Sequence, residues 1–299
     1  MREFDVIVVG ELNADIIMRL DSPPEPGKEV LATDSLITLG SSSAICAVGL
    51  ARLGLGVKFI GFVGDDDLGR FILRRLHGEG IEVEDVEIAK GEKTGFTVSL
   101  VHGGDRALVT EPGVMRKFDL KDEDFPKLSS ARHLHISSPF LQESLRTATI
   151  LREAKVRGLS TSLDPGWDPL DSRWDSLKPA FQHIDILLMN QVELERFSKG
   201  KGIGAIELPR RVIVKLGSMG STGRWDGETV SQPAFPVAPV DTTGAGDSFN
   251  AGFLYAFLNG YDVQEAMRFG NACGALSCMA LGGTEGFPRL DQVLKFLGK

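Results

Sequence analysis

The run Asp-Thr-Thr-Gly-Ala-Gly-Asp at residues 241–247 combines residue types that could bind an anion beside a proton acceptor. Apolar residues recur at helical spacing after it, which predicts a helix beginning at about Gly246 or Asp247. The first N–H groups of a helix have no internal partners, and the peptide dipoles add about half a positive charge there. Because Gly244 and Gly246 lack β-carbons, a phosphate could approach the amides of Gly244, Ala245 and Gly246. The run therefore predicts an anion hole.

Asp247 is the residue of this run that calls for a chemical explanation. A carboxylate beside an anion hole repels the bound anion unless it has another task, such as accepting a proton from an attacking hydroxyl. Asp247 is therefore a candidate catalytic base. The structural alternative is that it lies in the first helical turn only to interact with the helix dipole.

Length and charge limit the kinds of partner that the chain can have. It has 299 residues, of which 42% are apolar, and this is enough for one large core without a linker. Its net charge of −8 would repel a nucleic-acid backbone. Apolar runs such as VIVVG are too short to cross a bilayer, and the first residues do not resemble a signal peptide. We expect a single domain, 1–299, with no nucleic-acid or membrane partner.

The cysteines and histidines give no sign of a metal centre. Cys46, Cys273 and Cys278 form no paired framework, which predicts free buried thiols in a reducing cytoplasm. His133 and His135 are two residues apart in a predicted strand and so lie on one face of it. Metal binding would need a third ligand that the sequence does not supply, so we expect a structural role for both.

Short apolar runs alternate with helical stretches along most of the chain. The runs predicted as strands are FDVIVVG, VKFIGFVG, RHLHIS, LSTSLDP, IDILLMN and RRVIVKLG. This rhythm predicts an α/β fold, a mostly parallel, doubly wound sheet with helices on both faces. Two segments, at about 11–37 and 92–114, alternate as half-exposed strands instead, and the turn HGGD marks a hairpin in the second. They predict a small β-sheet lid, with Arg106 as a candidate lid contact or a solvent-exposed charge.

Polar residues and glycines follow the predicted strands of the large sheet. Ligands of open parallel sheets bind beyond the carboxyl ends of the strands. The residues at those ends are Gly10–Asn13, Ser137–Ser138, Asp164–Gly166, Asn190 and Lys215–Gly217. They predict one polar cleft along this edge.

The run 241–247 resembles the signature of the ribokinase-like (PfkB-type) carbohydrate kinases. Other segments resemble further parts of that family in the same order, so the resemblance extends over nearly the full length. These segments are VVGELNADI, GSSSAICAVGLARLG, FVGDDDLGRFILRRLHGEGI, NQVELE, VIVKLGSMGS and GNACGALSCMALGGTEGFP. The resemblance implies ATP-dependent phosphorylation of a hydroxyl group on a sugar or sugar-like small molecule, which gives a sugar phosphate and ADP.

The same resemblance implies a role for each matching residue on the acceptor side. Asp247 would activate the acceptor hydroxyl, while the amides of residues 244–246 would stabilise charge on the transferring phosphoryl group. The residues implied to bind the substrate beside Asp247 are Asn13, Asp15, Gly40 and Ser41. For Asn13 and Asp15 the alternative is a local Asx turn.

On the other side of the cleft the resemblance implies ATP and Mg²⁺. Asn190 and Glu193 would lie near the phosphates, with Glu193 bound to Mg²⁺ through water; the alternative is a capping box at a helix start. The other residues implied to bind the nucleotide are Lys215, Gly217, Gly220 and Asn271. The glycines could instead form a tight turn after a strand, and Asn271 could be a surface or packing residue rather than an adenine contact.

Two further features are implied by the family alone. Asp241 and Thr243 match positions where many relatives bind a monovalent cation such as K⁺, partly through backbone carbonyls. Relatives also often dimerise through their lid sheets, so a homodimer is expected here. Neither feature is encoded by a side-chain pattern of this sequence.

Two departures from the family pattern leave the acceptor open. Gly40-Ser41 and Ile45 replace the usual paired glycines and the following Asn, and Ile45 could favour a deoxy centre, a bulkier acceptor or simple packing. Gly166 and Asp168 replace the usual Asn and Arg. A nucleoside kinase of the same fold is therefore the alternative, because an apolar contact could line a base pocket.

Other classes of function are less compatible with the chain. An oxidoreductase on a Rossmann sheet would need G-x-G-x-x-G after the first strand, where this chain has GELNAD. A catalytically inactive sensor on a kinase scaffold would not need Asp247 beside an anion hole. The sequence therefore favours the kinase.

Overall fold

The computed structural model describes residues 2–103, 105–142, 145–168, 170–207 and 209–299. Its strands are β1 (Phe4–Val9), β2 (Asn13–Leu20), β3 (Ala32–Leu39), β4 (Val57–Gly64), β5 (Val86–Ala89), β6 (Gly95–His102), β7 (Asp105–Glu111), β8 (Ala131–Ser137), β9 (Ser160–Asp164), β10 (Ile186–Asn190), β11 (Arg211–Lys215), β12 (Ser221–Trp225) and β13 (Glu228–Gln232). Its α-helices are α1 (Ser42–Arg52), α2 (Asp67–Gly78), α3 (Thr147–Val156), α4 (Gln191–Ser198), α5 (Ala245–Leu258), α6 (Val263–Ser277) and α7 (Leu290–Phe296). Short 3₁₀ helices cover Gly113–Lys117, Asp122–Ser130, Pro139–Leu141, Trp174–His183, Ile203–Ala205 and Gly217–Met219.

The large sheet has the order β13-β12-β11-β10-β9-β8-β1-β4-β5 within the described residues. Its strands are parallel except for the pairs β11–β12 and β12–β13, which are antiparallel. Alternate residues of the central strand β1 point to different cores: Val6 and Val8 pack against α1, α5 and α6, whereas Ile7 and Val9 pack against α3. The apolar runs are therefore buried on both faces, and the predicted doubly wound sheet is confirmed.

A second sheet has the order β3-β2-β6-β7. Its strands lie in the two segments predicted to form the lid, except that β3 extends to Leu39. Ile37, Leu108 and Val109 are exposed on it, as expected for half-buried strands. Residue 104 of the predicted HGGD turn lies outside the described residues.

Helix α5 begins one or two residues earlier than predicted, at Ala245, with Gly244 as its N-cap. It packs closely against α6, since a β-carbon on Gly252 would lie 2.7 Å from the carbonyl oxygen of Phe269. The start of α5 lies at the carboxyl edge of the large sheet, since a β-carbon on Gly246 would lie 3.4 Å from Nζ of Lys215, the last residue of β11. The predicted anion hole therefore lies where ligands of such sheets bind.

His133 and His135 have the structural role predicted for them. Both are buried in β8, where His133 lies 2.8 Å from the hydroxyl of Ser160, and both rings lie 2.7 Å from Oγ of Ser162. Burial lowers the pKa of His135 to about 4 and that of His133 well below its usual range. Within the described residues, no group of three or more His, Cys, Asp or Glu side chains could hold a metal ion.

Two further predictions concern the cysteines and membrane-spanning helices. Cys46, Cys273 and Cys278 are free and buried, as predicted. No described helix has the length and apolar character needed to cross a membrane.

Candidate active site

The start of α5 has the geometry of an anion-binding helix terminus. Gly244 adopts φ of 72°, in the left-handed region that favours glycine. The first bond of the helical ladder runs from Ser248 N to the carbonyl of Gly244, over 2.8 Å. The N–H groups of residues 245–247 precede that bond, although Ala245 N also donates to the carbonyl of Thr242 over 3.3 Å. Amides of the first turn are therefore directed out of the helix, toward the cleft.

The side chain of Ile45 packs against Gly244 at the start of α5. It is buried, and a β-carbon on Gly244 would lie 3.1 Å from its Cδ1 atom. The same methyl group occupies the space where Gly283 would carry a side chain. Of the three explanations left open by the sequence, packing accounts for Ile45.

Asp247 lies half-buried beside these amides, among several other acids. Burial raises the pKa of its carboxyl well above the usual range, and the negative charge of Asp164 raises it further. Lys215 opposes this shift, while Glu11 and Glu193 add to it. In the free protein these surroundings disfavour the ionised form, so the approach of a cation would favour it.

Lys215 belongs to a buried hydrogen-bonded cluster that we call the Asp164 cluster, formed by Asp164, Lys215 and Asn250. The ammonium of Lys215 lies 2.6 Å from Oδ2 of Asp164 and 3.2 Å from Oδ1 of Asn250. Asn250 donates to the same Asp164 oxygen over 2.5 Å. The sequence marked Asp164 only as a strand end, and Asn250 was not recognised at all. The signal that could have found Asn250 is its position one helical turn after Gly246.

Asn13 and Asp15 begin β2 and face the same cleft. The amide of Asn13 donates to the hydroxyl of Thr97 over 2.9 Å and to Asp15 over 3.4 Å. Both residues lie in a strand, so the alternative of a local Asx turn does not fit. Among the described residues, Oδ1 of Asn13 is buried without a hydrogen-bond partner. An unpartnered buried acceptor costs about 1–3 kcal/mol, which a ligand hydroxyl would relieve.

Gly40 and Ser41 connect β3 to α1 and touch these residues. A β-carbon on Gly40 would overlap Oδ1 of Asp15. Ser41 is the N-cap of α1 and has φ of 70°, a strained value for a residue other than glycine. Its hydroxyl accepts from Ala44 N over 3.0 Å and donates to the carbonyl of Glu11 over 2.6 Å. These bonds hold Ser41 in this conformation.

Glu11 is a buried acid that the sequence marked only as part of a strand end. Its Oε2 accepts from the hydroxyl of Ser43 over 2.7 Å and from Gln142 Nε2 over 3.4 Å. Its Oε1 has no partner among the described residues. Burial raises its pKa to about 7. The signal that could have identified it is an acid two residues after the apolar end of β1.

Asn190 and Glu193 form the capping box that was the structural alternative for them. Asn190 Oδ1 accepts from Glu193 N over 2.9 Å, and the Glu193 carboxyl accepts from Asn190 N over 2.8 Å and from its Nδ2 over 2.7 Å. Glu193 is buried, and this burial, together with the charge of Asp164, raises its pKa to about 7. The cap does not exclude a contact with phosphate or a hydrated metal ion, so that role stays a prediction.

The remaining residues predicted to bind the nucleotide lie after β11 and on α6. Gly217 has φ of 60° and open space where a side chain would be, whereas a β-carbon on Gly220 would overlap the carbonyl of Gln232. Asn271 donates to the carbonyls of Gln232 and Pro233 over 3.3 and 3.1 Å. Gly220 and Asn271 thus hold the chain after β13, while Gly217 leaves room for a ligand. An adenine contact by Asn271 remains a prediction.

The predicted cation residues are joined to each other. Oδ1 of Asp241 accepts from Thr243 N over 2.9 Å and from its hydroxyl over 2.7 Å, and Oδ2 accepts from Gly282 N over 2.9 Å. The carboxylate therefore fixes the loop before α5. A monovalent cation at this loop stays a prediction.

Arg106, on β7 of the small sheet, contacts the loop before α5. Its Nη1 lies 3.2 Å from the hydroxyl of Thr242 and 3.7 Å from Oδ1 of Asp241. Its charge also lowers the pKa of Asp15, which burial raises to about 6. The small sheet therefore reaches across the cleft to the loop before α5.

Asp168, which replaces an Arg of the family pattern, is fully buried. It accepts from the backbone N–H groups of Leu170, Ser172 and Arg173 and pairs with the Arg173 side chain over 2.8 Å. Its carboxylate therefore stabilises the loop after β9.

The chain is similar to known carbohydrate kinases in sequence and in fold. The description "pfkB family carbohydrate kinase" matches residues 3–290. The ATP-dependent ribose-1-phosphate kinase of Halopiger xanaduensis is 33% identical over 297 residues, 98% of each chain. The ribokinase of Bacillus subtilis is 28% identical and covers 98% of this chain and 99% of its own. The structure of Arabidopsis thaliana ribokinase complexed with ribose and ATP is 27% identical, with a TM-score of 0.85 over 99% of both chains.

The match therefore extends over nearly the whole chain, at both the sequence and the structural level. It confirms the resemblance on which the expected activity rests. The chain belongs to the pfkB family of carbohydrate kinases and is an ATP-dependent kinase that phosphorylates a hydroxyl group of a sugar or sugar-like small molecule.

Proposed function

We propose that the acceptor hydroxyl is phosphorylated at the start of α5, between the amides of residues 244–246 and the carboxylate of Asp247. The observation that carries this proposal is the way α1 joins the two halves of the site. Gly40, just before α1, abuts Asp15, and Ile45 in its first turn lies under Gly244. Both halves of the proposed site therefore lie at the N-terminal end of α1.

Each group has a distinct task in this reaction. Asn13 and Asp15 orient the acceptor, with the unpartnered Oδ1 of Asn13 accepting from one of its hydroxyls. Asp247 aligns the attacking hydroxyl and accepts its proton as the bond to phosphorus forms. The amides stabilise the charge on the transferring phosphoryl oxygens, an interaction that is strongest in the transition state. Because that transition state is loose, alignment by Asp247 matters as much as proton removal.

The charges of the site fit a divalent cation that arrives with ATP. Asp164, Glu193 and Asp247 are acids around one ammonium, that of Lys215, and the pKa of Glu193 is raised to about 7 by burial and by Asp164. Mg²⁺ would supply neutralising charge on the phosphates of ATP. We propose that Glu193 binds Mg²⁺ through water. The residues proposed to bind the nucleotide are Asn190, Lys215, Gly217, Gly220 and Asn271.

A monovalent cation is proposed at the loop of Asp241 and Thr243. The carboxylate of Asp241 already accepts three hydrogen bonds, so K⁺ would be held partly by backbone carbonyls. The effect expected of K⁺ is to rigidify the loop that leads into the anion hole. Kinase assays in K⁺ and in tetramethylammonium salts test this, and equal rates in both would contradict it.

The small sheet is proposed to act as a lid and as a dimer interface. Arg106 links it to Thr242, and closure would exclude water, which competes with the acceptor hydroxyl. The face of the sheet opposite Asp15 carries the exposed side chains of Ile37 and Val109, which a second copy would cover. Sedimentation of the wild type and of V109E tests the dimer; a wild-type monomer would contradict it.

The three cysteines support a reducing compartment, and we propose the cytoplasm. All are buried free thiols, and burial raises the pKa of Cys273 and Cys278, which slows their oxidation. Fractionation of cells that express the protein tests this location. Recovery outside the cytoplasm would contradict it.

The acceptor is proposed to be a sugar or a sugar phosphate rather than a nucleoside. Ile45, the feature that could have lined a base pocket, is used in packing under Gly244. Arg106 brings a positive charge near Asp15 at the mouth of the acceptor site, which suits a phosphorylated sugar. The relative from Halopiger xanaduensis, a ribose-1-phosphate kinase, points to the same class.

A substrate panel tests this proposal. ADP release is measured with MgATP and pentoses, hexoses, ketoacids, polyols, ribose 1-phosphate and nucleosides. The expected result is turnover with a free or phosphorylated sugar and little with nucleosides. A preference for nucleosides would contradict the proposed acceptor class, and no turnover with any of them would contradict the proposed site.

A further inference from the structure

The ammonium of Lys215 is held directly beside the anion hole. Its Nζ would lie 3.4 Å from a β-carbon on Gly246, and no other side chain of the described residues comes as near to that position. The side chain is 12% exposed, so its charge is largely removed from solvent. A phosphate bound to the amide of Gly246 would therefore lie next to a positive charge.

The Asp164 cluster fixes this ammonium from the opposite side. Asp164 and Asn250 accept two of its three N–H donors, over 2.6 and 3.2 Å, and Asn250 in turn donates to Asp164. Asp164 is also held by Gly166 N, which donates to Oδ1 over 3.0 Å. A lysine side chain is otherwise flexible, so this arrangement pre-orders a single charge at the end of β11.

A buried ammonium in this place has an electrostatic effect on the reaction itself. Charges in a partly desolvated site interact several-fold more strongly than in water. The carboxylates that face Asp247 from other elements are Asp164 on β9, Glu11 after β1 and Glu193 on α4, with the Cys46 thiol on α1. Lys215 is the cation among these groups, and it opposes their combined effect on Asp247.

We propose that Lys215 is a catalytic residue whose ammonium stabilises the transferring phosphoryl group, and that Asp164 and Asn250 are positioning residues that hold it against the anion hole. This inference rests on the proposed function and goes beyond it, because nucleotide binding alone would give Lys215 no part in the transfer step. An interaction that strengthens only in the transition state lowers kcat when it is removed and leaves the affinity for ATP unchanged.

Three variants test the charge. Lys215→Met removes it, Lys215→Arg keeps it in a larger planar group, and Lys201→Met removes an exposed lysine after α4 as the matched control. We measure kcat with the best acceptor, and the Kd of MgATP without acceptor by calorimetry. The expected kcat falls about 10²–10³-fold for K215M and less for K215R, with Kd changed less than about threefold and K201M like the wild type.

A second pair of variants tests the positioning residues and keeps the test decisive if K215M does not fold. Removing Lys215 alone leaves the buried Asp164 charge unpaired, which can unfold the protein, so K215M/D164N removes both charges. D164N alone should lower kcat about tenfold per folded enzyme, without changing the Kd of MgATP. A purely structural role of Asp164 would change Tm and leave kcat and Kd as in the wild type.

The outcomes separate this inference from the proposed function. Wild-type kcat in K215M or in the double variant overturns the inference while the proposed function stands. An unchanged kcat with a Kd for MgATP raised tenfold or more would also overturn it, since Lys215 would then be a ground-state nucleotide contact. A wild-type enzyme without turnover on any acceptor would overturn both.

Discussion

Oδ1 of Asp15 lies where a β-carbon of residue 40 would be, so the two residues fit together only because residue 40 is glycine. The same β-carbon would lie 2.8 Å from Oδ1 of Asn13. Gly40→Ala must displace one or both of these side chains, which are proposed to bind the acceptor. Since each misplaced hydrogen bond costs about 1–3 kcal/mol, we expect kcat/KM for the acceptor to fall about 10–100-fold.

Steady-state kinetics at varied acceptor and at varied MgATP check this prediction. The loss should appear with the acceptor and leave the Kd of MgATP as in the wild type. Gly78→Ala at the end of α2 is the control, because a β-carbon there meets open space. Wild-type kcat/KM in G40A would show that Asp15 does not hold the acceptor.

Ser41 is held at a positive φ by two hydrogen bonds. Replacement by alanine and replacement by glycine should therefore change the free energy of unfolding by different amounts. Ser41→Ala loses both bonds and keeps the strained β-carbon, so we expect a loss of about 1–2 kcal/mol in the free energy of unfolding. Ser41→Gly loses the same bonds and relieves about 1 kcal/mol of strain, so its stability should stay near that of the wild type. Urea unfolding measures both, and an S41G protein less stable than S41A would contradict the account.

The raised pKa of Glu11, about 7, makes the stability of the protein depend on pH. The folded state binds a proton here between pH about 4.5 and 7 that the unfolded state has released. The stabilisation that protonated Glu11 contributes to the folded state is therefore fully present below about pH 4.5 and is lost as pH rises through about 7. The glutamine of Glu11→Gln cannot ionise. The free energy of unfolding of this variant should therefore rise relative to that of the wild type as pH rises, by up to about 3 kcal/mol.

Urea unfolding at pH 5 and pH 8 measures this difference between E11Q and the wild type. Glu87→Gln, which removes an exposed carboxylate of β5, is the charge-matched control. The account predicts a larger advantage of E11Q at pH 8 than at pH 5. An equal difference at the two pH values would mean that Glu11 is not a buried, protonated acid.

Asp247 and Asp67 both lie in the first turn of a helix, and they differ in what surrounds them. Asp67 is 99% exposed on α2, where it pairs with Arg70, whereas Asp247 is half-buried beside the proposed anion hole. Asp247→Asn should lower kcat about 10²–10⁴-fold, because the hydroxyl loses its proton acceptor. Asp67→Asn should leave kcat unchanged. A wild-type kcat in D247N would contradict the assignment of Asp247 as the base.

Much of the fold follows from local patterns in the sequence. Strands such as β1 and β10 are continuous apolar runs, and these are typical of a parallel sheet covered on both faces. The small sheet was found because its strands alternate, and the start of α5 because two glycines and an acid precede a helix. The capping box of Asn190 and Glu193 was visible from spacing alone.

The parts of the site that could not be predicted depend on contacts between distant segments. Lys215, Asp164 and Asn250 come from three different elements, and no local pattern joins an acid at the end of β9 to an amide on α5. Ile45 could not be assigned because the residue that it supports, Gly244, lies far along the chain. Glu11 was missed because its burial depends on Gln142 and Ser43, which only the tertiary structure brings together.

A crystal structure with MgCl₂ and a non-hydrolysable ATP analogue tests the central claim, that phosphoryl transfer takes place at the start of α5. The account predicts terminal phosphate oxygens at about 3 Å from the backbone nitrogens of Ala245 and Gly246, with the Asp247 carboxylate facing the same phosphorus. A terminal phosphate bound elsewhere, with no contact to residues 244–247, would contradict it.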